Sequence, residues 1–230
     1  MLVEIVTPGQ VAQNAEPRPD IVVVIDVLRA TSTAVVLSER TSDGILLVPR
    51  PEMLPALPGG PNDYLVFSEL TSEGFERVDN SPSRAEVLDL SGRTPVLVTT
   101  NGTIATSIAH QHGTTVILAS FLNVSAVAEA IRQAEPSRVL VVPAGRVKDD
   151  SRCQEDDQCA LAIKALLEGV PLNLSEMASD CRNAPLIVQR LVDEDGLLVD
   201  VDYALRPDTS KNVLYVTEES PNVFRIKTHA

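Results

Sequence analysis

The chain repeats one plan along much of its length: an apolar run of strand length, a short polar turn, then apolar residues at helical spacing. The first unit is Ile21–Ile25 (IVVVI), followed by DVLRATS and a helical pattern to about residue 40. The second has an apolar run at 96–98, the turn TTNGT, and a helical pattern over 104–110. In the third, 116–118 leads through ASFLN into Val124–Ala134. The fourth runs from 139–142, through the longer polar stretch PAGRVKDDSRCQEDD, to a helix over 158–168. Strands alternating with helices at this spacing predict an α/β fold, a three-layer α/β/α arrangement with a largely parallel or mixed sheet.

Between the first two units the pattern degrades. Pro49, Pro51, Pro55, Pro58 and Pro61, with Gly59 and Gly60, predict an irregular connection. Tyr64–Phe67 reads as a further strand, and Ser81-Pro82 opens a short helix with proline in its first turn. His110 and His112 precede Gly113, an expected helix end. Later, 175–192 reads as helical, and 198–205 and 213–217 read as strands. The chain, 1–230, reads as a single domain; a C-terminal lobe from about residue 170 is left open.

Composition narrows the function classes. A chain of 230 residues, 44% of them hydrophobic, can build a large core without disulfides or a structural metal. Cys153, Cys159 and Cys181 match no zinc spacing and read as small buried hydrophobes. With 19 basic against 32 acidic residues the formal charge is -13, and the Lys and Arg are scattered. A nucleic-acid partner is therefore not expected, since phosphate contacts need a basic face. The apolar runs fall short of the ~20 residues needed to cross a bilayer, and the start, MLVEIVTPGQ, has no basic region. No membrane partner is expected, and a cytoplasmic location is.

In open α/β sheets ligands bind beyond the carboxyl ends of the strands. The polar residues just after the apolar runs are Asp26, Arg29, Thr31 and Ser32, then Thr99, Thr100, Asn101, Gly102 and Thr103. Ser120 and Asn123 follow the third run, and Gly145, Arg146, Glu155 and Asp156 the fourth; Glu69 follows Tyr64–Phe67. Singly, these residues have ordinary structural uses: Asp26 could cap a helix, and the 155–157 acids suit a helix N-terminus. Together they read as a site for a hard divalent cation and an anion. Carboxylates hold Mg2+ along with phosphate and water oxygens. Turns opening onto helix N-termini offer N–H groups to anions, and arginine offers a fork to phosphate, carboxylate or sulfonate. No G-x-G-x-x-G, P-loop or G-x-S-x-G motif is present, and a dehalogenase-type D-x-D would need an acid at Leu28.

Several of these motifs occur in an order that resembles a known family. They are 25–31 (IDVLRAT), Asn80-Ser81-Pro82, 99–103 (TTNGT), 120–123, Ala144-Gly145-Arg146, and Glu155-Asp156 followed by Cys159-Ala160. Together they look like the 2-phosphosulfolactate phosphatase family (ComB-like proteins), over about residues 21–216. The chain departs from the family pattern at Ser68, where glycine is usual before Glu69, at Pro143, where cysteine is frequent, and at Leu161, where glycine is expected. The last departure is expected to affect helix packing more than chemistry.

The resemblance implies a Mg2+-dependent phosphoric monoester hydrolase that converts (R)-2-phospho-3-sulfolactate to (R)-3-sulfolactate and phosphate, on the route to coenzyme M. The expected catalytic residues are Asp26, Arg29, Arg146 and Glu155. Thr31, Asn101, Gly102, Thr103, Ser120 and Asn123 are expected to bind substrate. Two or three of Asp26, Glu69, Glu155 and Asp156 are expected to hold or orient Mg2+. Direct attack by water and a covalent aspartyl-phosphate on Asp26 both remain open, as do another small phosphorylated hydroxy acid as substrate and a non-catalytic binding protein for a small anion. A homodimer and the roles of Asp200, Asp202 and Asp208 are likewise open.

Overall fold

The computed structural model of the chain describes residues 1–193 and 196–228. Ten strands form one sheet: β1 (Leu2–Ile5), β2 (Ile21–Ile25), β3 (Ile45–Leu47), β4 (Tyr64–Phe67), β5 (Arg77–Val78), β6 (Thr94–Leu97), β7 (Thr115–Ala119), β8 (Arg138–Pro143), β9 (Leu214–Ser220) and β10 (Val223–Thr228). The helices are α1 (Ala30–Ser38), α2 (Pro82–Val87), α3 (Gly102–His112), α4 (Val124–Ala134), α5 (Gln154–Glu168), α6 (Leu174–Arg182), α7 (Pro185–Asp193) and α8 (Leu197–Ala204). The α/β class expected from the sequence is what the structure has.

The sheet order is β1-β8-β2-β7-β9-β10-β3-β6-β4-β5. β1, β8, β2 and β7 are mutually parallel, as are β3, β6, β4 and β5. Between these two sets lies the C-terminal hairpin β9-β10, antiparallel to both its neighbours. Three antiparallel pairings in succession reverse strand direction, so the two parallel sets run in opposite senses. Sheet twist largely offsets the reversal. At about 20–25° per pair it accumulates to roughly 100–125° over the five steps from β2 to β6. The carboxyl ends of both sets can thus approach one another.

Alternation along the strands sends side chains to two faces. On the inner face, Val22, Val24, Leu47, Phe67, Leu97, Leu118, Leu140, Val216 and Phe224 form one continuous core with α1 and α3. α1 is buried from Ala30 to Leu37, as expected of a helix enclosed by protein on every side; its small residues ATSTA let the sheet close around it. The outer face of the first set packs on α4, α5 and α6 through Ile21, Val23, Ile25, Val139 and Val141. The outer face of the second set is covered instead by the proline-rich connection, where Leu54 and Leu57 meet Val66, Val96 and Val98. This irregular stretch of the sequence is therefore a lid on the sheet.

Two expectations change. The stretch 198–205 is helix α8 and not a strand: Leu197, Asp200, Val201 and Ala204 are buried while Leu198 and Val199 are exposed. That spacing of three and four is helical, and the valines had suggested a strand. The stretch 175–192 is two helices, because Pro185 opens a new one after Asn183 and Ala184. α6–α8 leave the sheet near residue 170, and the chain then returns to the middle of the sheet as β9-β10. Leu161 is 45% exposed, so its side chain points away from the packed face of α5 and does not perturb the packing. No helix among the described residues is long and apolar enough to cross a membrane.

Phe67 sits fully buried in the inner core, two residues before Glu69. We expect Phe67→Ala to destabilise the protein by about 3–5 kcal/mol in urea unfolding, through lost burial and an unfilled cavity. A change below 1 kcal/mol would show that the inner core closes without it.

Candidate active site

Asp26 is the first residue after β2, and the chain turns there directly into α1. The Ala30 N–H donates to Asp26 Oδ1 at 3.2 Å. The side chain of Thr31 is used locally: its Oγ1 donates to the Asp26 carbonyl at 2.8 Å and accepts from the Asp26 N–H at 3.0 Å. Opposite, the first turn of α3 approaches the same carboxylate, and the Gly102 N–H also stabilises its charged form. A Cβ on Gly102 would lie 2.6 Å from both Asp26 Oδ2 and the Ala30 Cβ. Only glycine lets the α3 N-terminus come this close.

Asp156 and Glu155 lie in the first turn of α5, which starts at Gln154, four residues earlier than the apolar pattern indicates. Asp156 bridges two strand ends: its Oδ1 accepts from the Val27 N–H at 2.7 Å and its Oδ2 from the Gly145 N–H at 2.9 Å. Gly145 has φ +51°, and a Cβ there would strike the Ser151 carbonyl. Glu155 is 2% exposed, and among the described residues its Oε2 has no hydrogen-bond partner. Glu69, at the end of β4, is exposed and accepts through Oε1 from the Thr100 N–H (2.6 Å) and hydroxyl (2.9 Å).

These groups line one cavity of about 470 Å3, together with Arg29, Asn80, Thr99, Asn101, Arg146, Cys153, Leu186 and Arg190. Arg29 reaches Asp200 Oδ2 at 3.0 Å. Arg146 is largely exposed at the rim, 3.9 Å from Asp149. Asn101 Oδ1 accepts from the Val147 N–H at 3.0 Å. Asp26, Arg29, Glu69, Asn101, Arg146, Glu155 and Asp156, which the sequence placed at strand ends, thus meet in one place.

Thr31, Gly102, Thr103, Ser120 and Asn123 are not among the cavity's lining residues. Thr103 closes the 99–103 turn, its Oγ1 donating to the Thr99 carbonyl at 2.9 Å. Ser120 and Asn123 cap the turn after β7, with the Ser120 N–H donating to Asn123 Oδ1 at 2.9 Å, and Asn123 Nδ2 donating to the Asn212 carbonyl at 2.9 Å. Their polar groups are spent on the turns, because the chain that follows β7 is covered by the segment leading into β9. Gly102 acts through closeness, without a side chain.

Asn80, Arg190, Leu186 and Cys153 were missed by reading strand ends. Asn80 follows β5, a strand of two residues too short to leave an apolar run. Its place in the Asn80-Ser81-Pro82 motif was the available signal. Arg190 and Leu186 come from α7, which no strand precedes.

Burial dominates the electrostatics. It raises Asp26 to about 6, with the negative charges of Glu69 and Glu155 adding to the rise and the Ala30 and Gly102 N–H groups offsetting it. Asp156 is raised well above the usual carboxylate range, by burial first and then by Asp26 and Glu155. Glu155 is raised by burial, while its own N–H and Arg190 pull it back. Burial, and after it the same acids, push the Cys153 thiol far up, which leaves it a poor nucleophile.

The oxygen chemistry fits a hard cation. A buried carboxylate oxygen without a donor, beside a second buried carboxylate, calls for a proton or a positive charge. Among the described residues no three His, Cys, Asp or Glu side chains form a ready-made cage. With Asp156 engaged at both oxygens and Glu69 at the rim, the protein offers two principal donors, Asp26 and Glu155. One or two carboxylates with water and ligand oxygens is the usual Mg2+ arrangement.

A family model described as 2-phosphosulpholactate phosphatase matches residues 5–219. A probable 2-phosphosulfolactate phosphatase of Deinococcus radiodurans is 38% identical over 150 residues, 64% of this chain and 61% of that protein. One of Thermus thermophilus is 35% identical over 149 residues, again 64% and 61%. One of Nostoc sp. is 31% identical over 168 residues, 70% of this chain and 67% of that protein. The matched stretch thus spans about three fifths of the first two relatives.

The raised Asp26 has a sign that can be checked. Its folded value, about 6, lies above the unfolded 3.8, so the folded state holds the proton longer. The stability this provides is full below about pH 4 and is lost as pH rises through 6. Asp26→Asn stays neutral, and with a chelator present it should be more stable than the natural protein at pH 7.5, by about 1–3 kcal/mol. The gap should shrink to about a third of that at pH 4.5. Urea unfolding at both pH values reads this out, and a less stable D26N at pH 7.5 would refute it.

Proposed function

The chain belongs to the 2-phosphosulpholactate phosphatase family, and from that premise we propose that it hydrolyses (R)-2-phospho-3-sulfolactate to (R)-3-sulfolactate and phosphate with Mg2+. The observation that carries this reading is the meeting of Asp26, Glu155 and Asp156 with Arg29, Arg146 and Arg190 in one cavity. A buried cluster of acids alone would repel a phosphate ester, and arginines alone would bind it without a group to move a proton. Both kinds together suit cleavage of a small multiply charged ester.

Asp26 and Glu155 would hold Mg2+, with Glu69 orienting water at the rim. When bound, the ion neutralises charge on phosphoryl oxygens. Asp156 keeps the β2 and β8 ends at fixed separation and so sets where Asp26 and Gly145 lie. Arg29 binds the phosphoryl oxygens, and Arg146 and Arg190 take the carboxylate and sulfonate arms.

Direct attack by water is favoured over a covalent intermediate by the way Asp26 is held. N–H donors from Ala30 and Gly102 already anchor its carboxylate, which restrains its movement toward phosphorus and weakens it as a nucleophile. Acceptor capacity remains for the proton of a water, since each carboxylate oxygen can accept twice. The water oxygen bonds to phosphorus and its proton passes to Asp26. The P–O bond to the hydroxy acid breaks, the departing alkoxide takes a proton from a solvent water, and Asp26 returns its own proton to solvent. Acid quench during a single turnover should trap no phosphate on the protein; a phosphorylated Asp26 recovered from the quench would mean that Asp26 itself attacked.

The deciding measurement is phosphate release from phosphosulfolactate, phospholactate and phosphoglycolate, with and without Mg2+. We expect Mg2+-dependent release that favours phosphosulfolactate, lowered about 100- to 10,000-fold by D26N with the fold intact. Release from the other esters alone would keep the phosphatase and change its substrate. No release, with sulfolactate raising the thermal midpoint, would replace the enzyme by a binding protein.

A further inference from the structure

We propose that Asp200 is a positioning residue for Arg29, so that α8 sets the geometry of the anion site without lining the cavity itself. The inference rests on the reading of Arg29 as the group that binds the phosphoryl oxygens. Asp200 projects from the inward face of α8, between Leu197 and Val201, and is 2% exposed. Its Oδ2 accepts from Arg29 Nη1 at 3.0 Å. Its Oδ1 accepts from the hydroxyls of Ser81 and Ser83, both at 2.6 Å, and from the Ser83 N–H at 3.3 Å.

A guanidinium is planar, so fixing one nitrogen restricts the directions open to the others. Arg29 stands three residues after Asp26 and lines the cavity; without the Asp200 anchor its long side chain could sample many rotamers. The other oxygen of Asp200 fastens the turn that carries Asn80, a second cavity residue. One carboxylate therefore fixes two walls that come from the ends of β2 and β5. Stability alone is a poor explanation for it. A buried ion pair generally contributes little over apolar residues of similar volume, and the surrounding face of α8 is apolar.

A double-substitution cycle tests this. kcat/KM for phosphosulfolactate and affinity for inorganic phosphate by calorimetry are measured for the natural protein, D200N, R29A and D200N/R29A, with thermal midpoints as the check of folding. We expect D200N and R29A each to lower kcat/KM by about 10–100-fold, phosphate affinity to fall in parallel, and the double substitution to be no worse than R29A. Equal losses from D200N with and without Arg29 would make Asp200 a purely structural strut and overturn the proposal. So would an intact D200N beside an impaired R29A. If R29A has no effect in either assay, the Arg29 assignment fails and the proposal falls with it. Should D200N not fold, S83A takes its place in the cycle, removing one of the two hydroxyl donors to Asp200 Oδ1 while keeping its charge. A loss of about 2–5-fold confined to proteins that retain Arg29 supports the proposal, and the same loss in R29A overturns it.

Discussion

The Asp156 carboxylate ties the ends of β2 and β8 together by accepting the N–H groups of Val27 and Gly145, and the site is built outward from that bridge. It brings the N-terminus of α5 under the sheet edge, which buries Glu155 beside it and leaves Asp26 facing both. Burial raises the proton affinity of all three carboxylates, and the charge of Glu155 adds to the rise at Asp26 and Asp156. The fold meets part of that cost with backbone donors. The first turns of α1 and α3 point N–H groups at Asp26, and α5 places its acids at the favourable end of its own dipole. Among the described residues Glu155 Oε2 is left without a donor, so the compensation they provide is incomplete. Incomplete compensation of buried charge is a common mark of a site that awaits a ligand.

The same logic explains why the C-terminal hairpin matters to residues it never touches. β9-β10 sits between two parallel sets that would otherwise have free edges in the middle of the molecule. Its antiparallel pairings reverse strand direction, and accumulated twist turns the second set so that the β4 and β6 ends face the β2 and β8 ends. Glu69 and Thr100 reach the cavity by this route, although their strands lie six and five places away from β2 in the sheet order. α1, buried from Ala30 to Leu37, fills the space that the turning creates.

The repeated strand-turn-helix plan was legible because β2, β7 and β8 are buried on both faces and read as unbroken apolar runs. Asp26 and Gly145 could be placed for the same reason: each follows such a run. Short strands left no comparable mark, and β5 hid Asn80. α8 was misread because its buried face includes Asp200, so its helical period looked like alternating valine and aspartate. Ser120 and Asn123 follow a strand end, but that end is closed by the chain leading into β9, a long-range contact with no local signature. Arg190 lay beyond any rule based on strand ends, since it enters from a helix above them.

The cavity's charge balance constrains how any ligand can enter. Asp26, Glu69, Glu155 and Asp156 face Arg29, Arg146 and Arg190 within it, while the whole chain carries -13. At physiological salt the Debye length is about 8 Å, so distant surface acids are screened and the nearby groups decide. Phosphate entering alone must approach acids as well as arginines, which favours the protonated form of Asp26 and thus lower pH. A cation entering alone competes with the same protons, which favours higher pH. When both enter, each removes the repulsion that the other meets, so their affinities are coupled and the coupling must be reciprocal. On the proposed reading, the raised acids make that coupling strong: they are most costly in the empty cavity, where neither partner is present to offset them.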